Sequence, residues 1–396
     1  MYSRQIKRWV FVLEGLNSLG LTYYFYYFYF FTHQKFGFDN QANLVLAAVN
    51  GLVCMVAAIY GGRYAQRAGY FRALKVGFGI MLGALSVGWW CSDQLAVQIA
   101  VFFVTTVGMC FTWPTFEAMV SEGETYAGLQ RNLGFYNVVW AATAAAAYFS
   151  GGAILEWLGN RSLFYLPVAV LGTQLALTFR MQKQTARDDR VAKAVGAPGA
   201  GHAAPAHPQP PATAKAFLRM AWLANPFSYI AVNTLVAVMP AVSQRLGLST
   251  TLAGVCCSLW CFSRLGAFCG LWFWPGRHYR FRWLLTAYLA LVVTFAVMLL
   301  VPNLAIVIAA EIVLGGTLGL IYYSSLFYSM DVGDTKGEHG GIHEAAIGLG
   351  NFLGPAVGAL ALRLAPNQPL ASAWAVSSLL ALGLGGLIWL RCRAPR

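Results

Sequence analysis

Residues 181–215 read MQKQTARDDRVAKAVGAPGAGHAAPAHPQPPATAK. This stretch is rich in alanine, proline, glycine and charge and offers no apolar face to bury, which is the composition of a flexible linker. On either side of it the character reverses. Continuous apolar runs follow one another, each about as long as the roughly 20 residues a helix needs to cross a bilayer. Six precede the segment, near 9–31, 42–62, 73–91, 95–117, 132–155 and 162–180, and six follow it, near 217–240, 250–273, 283–301, 303–327, 341–362 and 369–390. The composition agrees: 58% of the 396 residues are hydrophobic and 10% are charged, where about a quarter are charged in soluble domains. Unbroken runs exclude an outer-membrane barrel, whose strands alternate polar and apolar residues. The expected fold is therefore an all-α membrane protein of twelve transmembrane helices. It divides into a six-helix bundle over 1–180, a linker over 181–216 and a second bundle over 217–396.

The two halves can be laid on each other at an offset of 210 residues. That offset places Ser18 on Ser228, Arg67 on Arg277, Phe71 on Phe281, Arg72 on Arg282, Leu74 on Leu284, Gly123 on Gly333 and Thr125 on Thr335. One register held across separate loops and helices points to an internal repeat. The net charge of +13 would suggest nucleic acid if it were clustered on one surface, but it is spread over alternate loops. Twenty-two basic residues fall on the side of the N-terminus, the 63–75 loop, the central segment and the C-terminal tail; the other side has Lys35, Arg161, Arg245 and Arg363. By the positive-inside rule both termini are expected in the cytoplasm, with the protein multi-pass in a cell (inner) membrane, in contact with lipid and not with nucleic acid. Cys256, Cys257 and Cys261 share one span, but no further ligands can be assigned at their depth, so they read as packing residues and no metal is expected.

The loop after the second span carries a recognisable pattern: Gly62-Arg63-Tyr64-Ala65-Gln66-Arg67-Ala68-Gly69-Tyr70-Phe71-Arg72. It resembles the signature between helices two and three of the major facilitator superfamily, whose members have two parallel six-helix halves related about the membrane normal. The resemblance implies that Gly62, Gln66, Arg67, Gly69 and Arg72 form a gate. Gln66 stands where the family usually has aspartate, so it brings an acceptor but no charge to the N-terminus of the eleventh helix. The latch between the halves is then expected to be weaker, or to be carried by Arg67 with Glu117. The span running His343-Glu344-Ala345-Ala346-Ile347-Gly348-Leu349-Gly350-Asn351-Phe352-Leu353-Gly354-Pro355 is similar to the glycine-rich stretch common among drug-exporter-like members, which adds Glu344, Gly354 and Pro355 to the gate set. Its counterpart over Gly134–Trp140 includes Asn137 but lacks the Gly-Pro of the drug exporters, and the fourth span lacks the arginine of many proton-coupled members.

Ionisable groups in lipid are costly and need a partner or a wet cavity. Three lie inside spans: Glu14, Arg264 and Glu311. Glu14, Asn17, Ser18 and Tyr24 read as one polar face looking into a central cavity; the alternative has Glu14 at the headgroups with Arg4 or Arg8. Arg264 is a candidate to recognise an anion or pair with a buried acid. Glu311, on a stripe with Tyr322, is a candidate to bind a cation, carry a proton or neutralise Arg264. His339 and His343 share an i, i+4 spacing, but their place at the start of the eleventh span favours capping and gate contacts over metal ligation. The tyrosines and phenylalanines of 23–31 read mostly as an interfacial belt.

Together these features lead to a secondary transporter that moves a small molecule by alternating access, coupled to protons, without cofactor or covalent catalysis, and acting as a monomer. The rival readings are a membrane-embedded enzyme, a lipid-handling protein and a receptor that moves nothing. An enzyme would need catalytic groups clustered at one depth, and the sequence offers no such set.

Overall fold

The computed structural model describes residues 2–194, 211–301, 303–333 and 335–394. Among them the chain forms twelve long helices and no strand: α1 Arg4–Phe36, α2 Asn40–Ala68, α3 Tyr70–Trp90, α4 Leu95–Ser121, α5 Tyr126–Leu158, α6 Ser162–Ala194, α7 Pro211–Arg245, α8 Thr250–Trp272, α9 Phe281–Leu300, α10 Leu304–Val332, α11 Lys336–Leu364 and α12 Ala371–Arg393. Eleven are long and apolar enough to cross a membrane. The exception, α1, carries Glu14, Asn17 and five tyrosines along its 33 residues and is largely buried in the bundle. Several starts are fixed by side-chain caps that accept an otherwise unpaired N–H: Ser3 from Ile6, Asp39 from Ala42, Thr125 from Gly128, Ser249 from Leu252 and Asn303 from Ile306.

The repeat read from sequence is visible in the helix boundaries. Helices α2 to α6 begin at 40, 70, 95, 126 and 162, and α8 to α12 begin at 250, 281, 304, 336 and 371, so every pair keeps the 210-residue offset to within one residue. The halves meet through α2 on α11 and, at the symmetry-related place, α8 on α5, with α1 and α2 also touching α7. Helices α3 and α6 pack together in one half, as do α9 and α12 in the other.

Two expectations change. Helix α6 runs on to Ala194 and α7 begins at Pro211, so both ends of the 181–216 segment are helical; residues 195–210 lie outside the described residues. And the eighth span is not one continuous helix. It is interrupted at Ser258, between Thr250–Cys257 and Leu259–Trp272, which leaves the first N–H groups of the second piece to find partners outside their own helix.

Candidate functional site

A cavity of about 120 Å³ lies between the halves. The first half lines it with Thr22, Tyr26, Asn50, Trp113 and Trp140, and the second with Tyr229, Asn233, Arg264, Tyr322, Glu344 and Asn351. Contacts between the halves lie toward both of its ends. At the end carrying the 63–75 loop, a Cβ on Gly62 would sit 2.5 Å from the Gly337 carbonyl oxygen and 2.6 Å from Gly341 Cα, so the α2 and α11 backbones touch. Gln130 of α5 donates to the Trp272 carbonyl at 3.1 Å, and its Oε1 lies 2.8 Å from His278 Nε2. Burial and the adjacent Arg277 pull the His278 ring down to about 2; it is neutral near pH 7, so Nε2–H serves as a fixed donor. At the opposite end, a Cβ on Gly152 would meet the Thr250 carbonyl oxygen at 2.2 Å. There Glu156 accepts from the Thr251 N–H at 3.1 Å and Gln34 donates to Thr250 Oγ1 at 3.0 Å.

The polar face of α1 is real but turned from its expected position. Glu14 is fully buried and accepts from Ser18 Oγ at 2.8 Å and Trp113 Nε1 at 3.2 Å, which replaces the pairing with Arg4 or Arg8. Tyr24 does not line the cavity; it is buried among Phe28, Phe102 and Phe164. Ten residues beyond Glu14 is about 80° off its face at 3.6 residues per turn, whereas eleven is nearly in line, and it is Phe25 that reaches the cavity. Asn17 and Asn137 are buried behind the wall, with both amide atoms of each lacking a protein partner.

Beside the cavity two helices bring acids together, with a third supplying hydroxyl partners. Glu117 of α4, His343 and Glu344 of α11 are buried, and their ligating atoms lie within 4.8 Å of one another. Tyr322 of α10 donates to Glu117 at 3.4 Å, Ser325 lies 3.1 Å from His343 Nδ1, and His343 Nε2 is 4.0 Å from Glu117. One imidazole and two carboxyls are also a donor set that could hold a divalent ion. The expected capping role of His343 is therefore wrong: it is fully buried, while His339 stays with Thr335 at the helix start. The expected Arg67–Glu117 latch is wrong as well, since Arg67 is exposed at the end of α2 and Glu117 faces α10 and α11. Glu344 belongs to the cavity as well as to this cluster.

The loop pattern is placed more nearly as expected. Gln66 Oε1 accepts from the Gly337 N–H at 2.9 Å, in the first turn of α11. Gly69, with φ of 92°, makes the turn between α2 and α3 that a side chain would strain, and Arg72 is exposed. Gly354 packs on Ile230 and Thr234 of α7. Gly354-Pro355 thus joins two helices of the same half and spans no gate.

Arg264 is 3% exposed. Its guanidinium carbon lies 4.1 Å from the Trp140 ring centre and 4.7 Å from that of Trp260, and Trp140 stacks on Tyr322 at 4.9 Å. No ion pair to it occurs among the described residues, and Nε and Nη2 are buried without an acceptor. Glu311 does not neutralise it. That carboxyl accepts from the Leu259 and Trp260 backbone N–H groups, the donors exposed by the interruption at Ser258, and it borders a separate small pocket with Cys256 and Cys257. Removing the cap with Glu311→Ala should cost about 1–3 kcal/mol, while Glu311→Gln, which keeps an acceptor, should cost much less. Melting temperatures of the two purified variants check this; equal values would remove the capping role.

Trp140, Trp260, Asn50, Asn233 and Asn351 were not foreseen. Trp260 stands four residues before Arg264, one turn away on the same face, and that spacing was a usable signal; the others arrive from distant helices.

No curated protein matches the chain. The crystal structure of the human organic anion transporter MFSD10 (TETRAN) is similar with a TM-score of 0.73 at 14% sequence identity, over 97% of this chain and 99% of that one, a likeness that speaks for the fold. The family described as Major Facilitator Superfamily matches residues 124–355, more than half of the sequence and parts of both halves. With its twelve helices, its repeat and a cavity between two bundles, this chain belongs to the major facilitator superfamily.

Proposed function

We propose that the protein is a secondary transporter that carries one small solute by alternating access, coupled to protons, in a cell membrane with the end bearing the 63–75 loop toward the cytoplasm. The observation that carries this reading is a cavity with charged and polar groups, built by both halves, with contacts between the halves toward both of its ends. Rocking the halves about such a cavity would open one set of contacts while the other tightens. The basic asymmetry of the loops supports the orientation. Proton coupling rests on the Glu117–His343–Glu344 group. Two unit charges 4 Å apart repel by about 4 kcal/mol at an effective dielectric constant of 20, so the buried carboxyls favour holding a proton between them when no cation is present. Glu344 faces the cavity too, and so connects that proton to the solute.

Asn233→Cys, on a background lacking the native cysteines, tests the alternation because Asn233 lines the cavity from α7. A membrane-impermeant maleimide added from either side of oriented membrane vesicles should label it, and prior labelling from one side should block the other. Labelling from one side alone would show a pocket that never alternates, as in a receptor or enzyme.

A further inference from the structure

We propose that the central cavity receives a compact aromatic monocarboxylate, whose carboxylate pairs with the Arg264 guanidinium and whose ring lies among the aromatic side chains beside it. The assignment rests on the reading above that this cavity is where the solute sits. Arginine cannot shed its proton in a protein, so Arg264 stays charged although it is buried. Nothing on the protein neutralises it: no carboxylate reaches it among the described residues, and Glu311, which the sequence offered as its partner, is committed to the broken end of α8. The two indoles stabilise the cation through their π-faces, yet they accept no in-plane hydrogen bond, and Nε and Nη2 remain without an acceptor. The group that relieves both deficits is an oxyanion, and the planar guanidinium fork matches a carboxylate in shape.

The rest of the lining sets the body of the ligand. Trp140 and Tyr322 are stacked beside Arg264, and Tyr26, whose hydroxyl meets the guanidinium, lies 6.2 Å from Trp260 at 29°, so flat ring surface surrounds the cation. A volume of about 120 Å³ is close to that of a cavity known to hold one benzene ring, about 150 Å³. It suits a single ring better than a ring with a long tail. One charge is the right number, because among the described residues Arg264 is the one cation in the lining. A monoanion matches that single cation, whereas a dianion would leave a charge unmatched.

Benzoate is the probe, with benzamide, benzylamine and phenylalanine as neutral, cationic and zwitterionic counterparts. Calorimetry and thermal shift on the full-length protein in detergent should show benzoate binding and raising the melting temperature, with the other three weaker by roughly tenfold or more for want of the charge pair. Arg264→Lys keeps the charge but loses the fork, and should weaken benzoate by roughly tenfold or more. Tighter binding of benzylamine or phenylalanine, equal competition by inorganic phosphate, or unchanged benzoate affinity in Arg264→Lys would each overturn the assignment. The ligand series on the unaltered protein decides even if that variant does not fold. Benzenesulfonate, too permanently charged to cross lipid alone, separates this claim from the transport reading. If aromatic anions bind through Arg264 but benzenesulfonate is not taken up by proteoliposomes, the binding assignment stands and transport falls. If Asn233→Cys is labelled from both sides but no aromatic anion binds, transport stands and the assignment falls.

Discussion

Glu344→Gln is expected to abolish the pH dependence of benzoate binding. In the unaltered protein an incoming carboxylate adds negative charge to a chamber whose one acid, Glu344, already lies against Glu117 and His343. Anion and proton should therefore favour each other, and by linkage the effect is reciprocal: benzoate promotes proton uptake by the same factor by which the proton promotes benzoate. Across a range in which benzoate itself remains ionised, its affinity should fall as pH rises, because each proton lost from the acid group leaves a charge facing the ligand. A repulsion of 1.4 kcal/mol is worth about tenfold in affinity, and the 4 kcal/mol contact value at an effective dielectric constant of 20 leaves room for that at larger separations. The Glu344→Gln variant should show a flat profile, with affinity at alkaline pH no weaker than that of the unaltered protein at acid pH. Glu117→Gln, behind the cavity wall, should reduce the slope without flattening it. Calorimetry in buffers of different ionisation enthalpy measures both the affinity and the protons taken up. A full slope surviving in Glu344→Gln would place the coupling group elsewhere.

Much of the architecture was legible because it is carried by local runs of sequence. Long apolar stretches and an offset that repeats five of the six helix starts are one-dimensional signals, and bilayer thickness fixes the length of each stretch. What local pattern could not carry is the centre of the molecule. Glu117 and Glu344 are more than two hundred residues apart, and neither position announces that the other is its neighbour. Trp140 and Arg264 are likewise distant in sequence, and neither announces the other. Rotation errors account for another part. Tyr24 was placed on the face of Glu14 by a spacing of ten, and the geometry of the helix selects Phe25. The pairing of Arg264 with Glu311 failed for a different reason: the interruption at Ser258 creates backbone donors that compete for the carboxylate. Charge counting along a sequence omits such donors because every residue carries them.

Gly62→Ala should shift the protein toward conformations open at the end of the 63–75 loop, whereas Gly61→Ala, its immediate neighbour, should destabilise the fold without choosing an end. The two glycines face different helices. A methyl at Gly62 would meet the Gly337 carbonyl oxygen at 2.5 Å and Gly341 Cα at 2.6 Å, across the boundary between the halves. A methyl at Gly61 would meet the Cys110 carbonyl oxygen at 2.1 Å, inside the first half. Both obstacles are backbone, which cannot swing aside as a flexible side chain would, and overpacking of this kind costs typically 1–3 kcal/mol. At Gly61 that cost is present in every state, since α2 and α4 stay together when the halves rock, so the melting temperature should fall and the labelling pattern stay the same. At Gly62 the cost falls only on states in which α2 and α11 touch, and a differential cost is what moves a population. A penalty of about 3 kcal/mol corresponds to roughly a hundredfold change in the ratio of the two states. The Asn233→Cys reporter should then be labelled readily from the side of the 63–75 loop and hardly at all from the other, and Gly62→Leu should push further in the same direction. Gly79→Ala, where a Cβ meets nothing within 4 Å, is the control and should match or exceed the parent in stability, as alanine is the better helix former by about 1 kcal/mol. If Gly62→Ala and Gly61→Ala lower stability alike and leave labelling balanced, the α2–α11 contact is ordinary packing and the gate at that end lies in other residues.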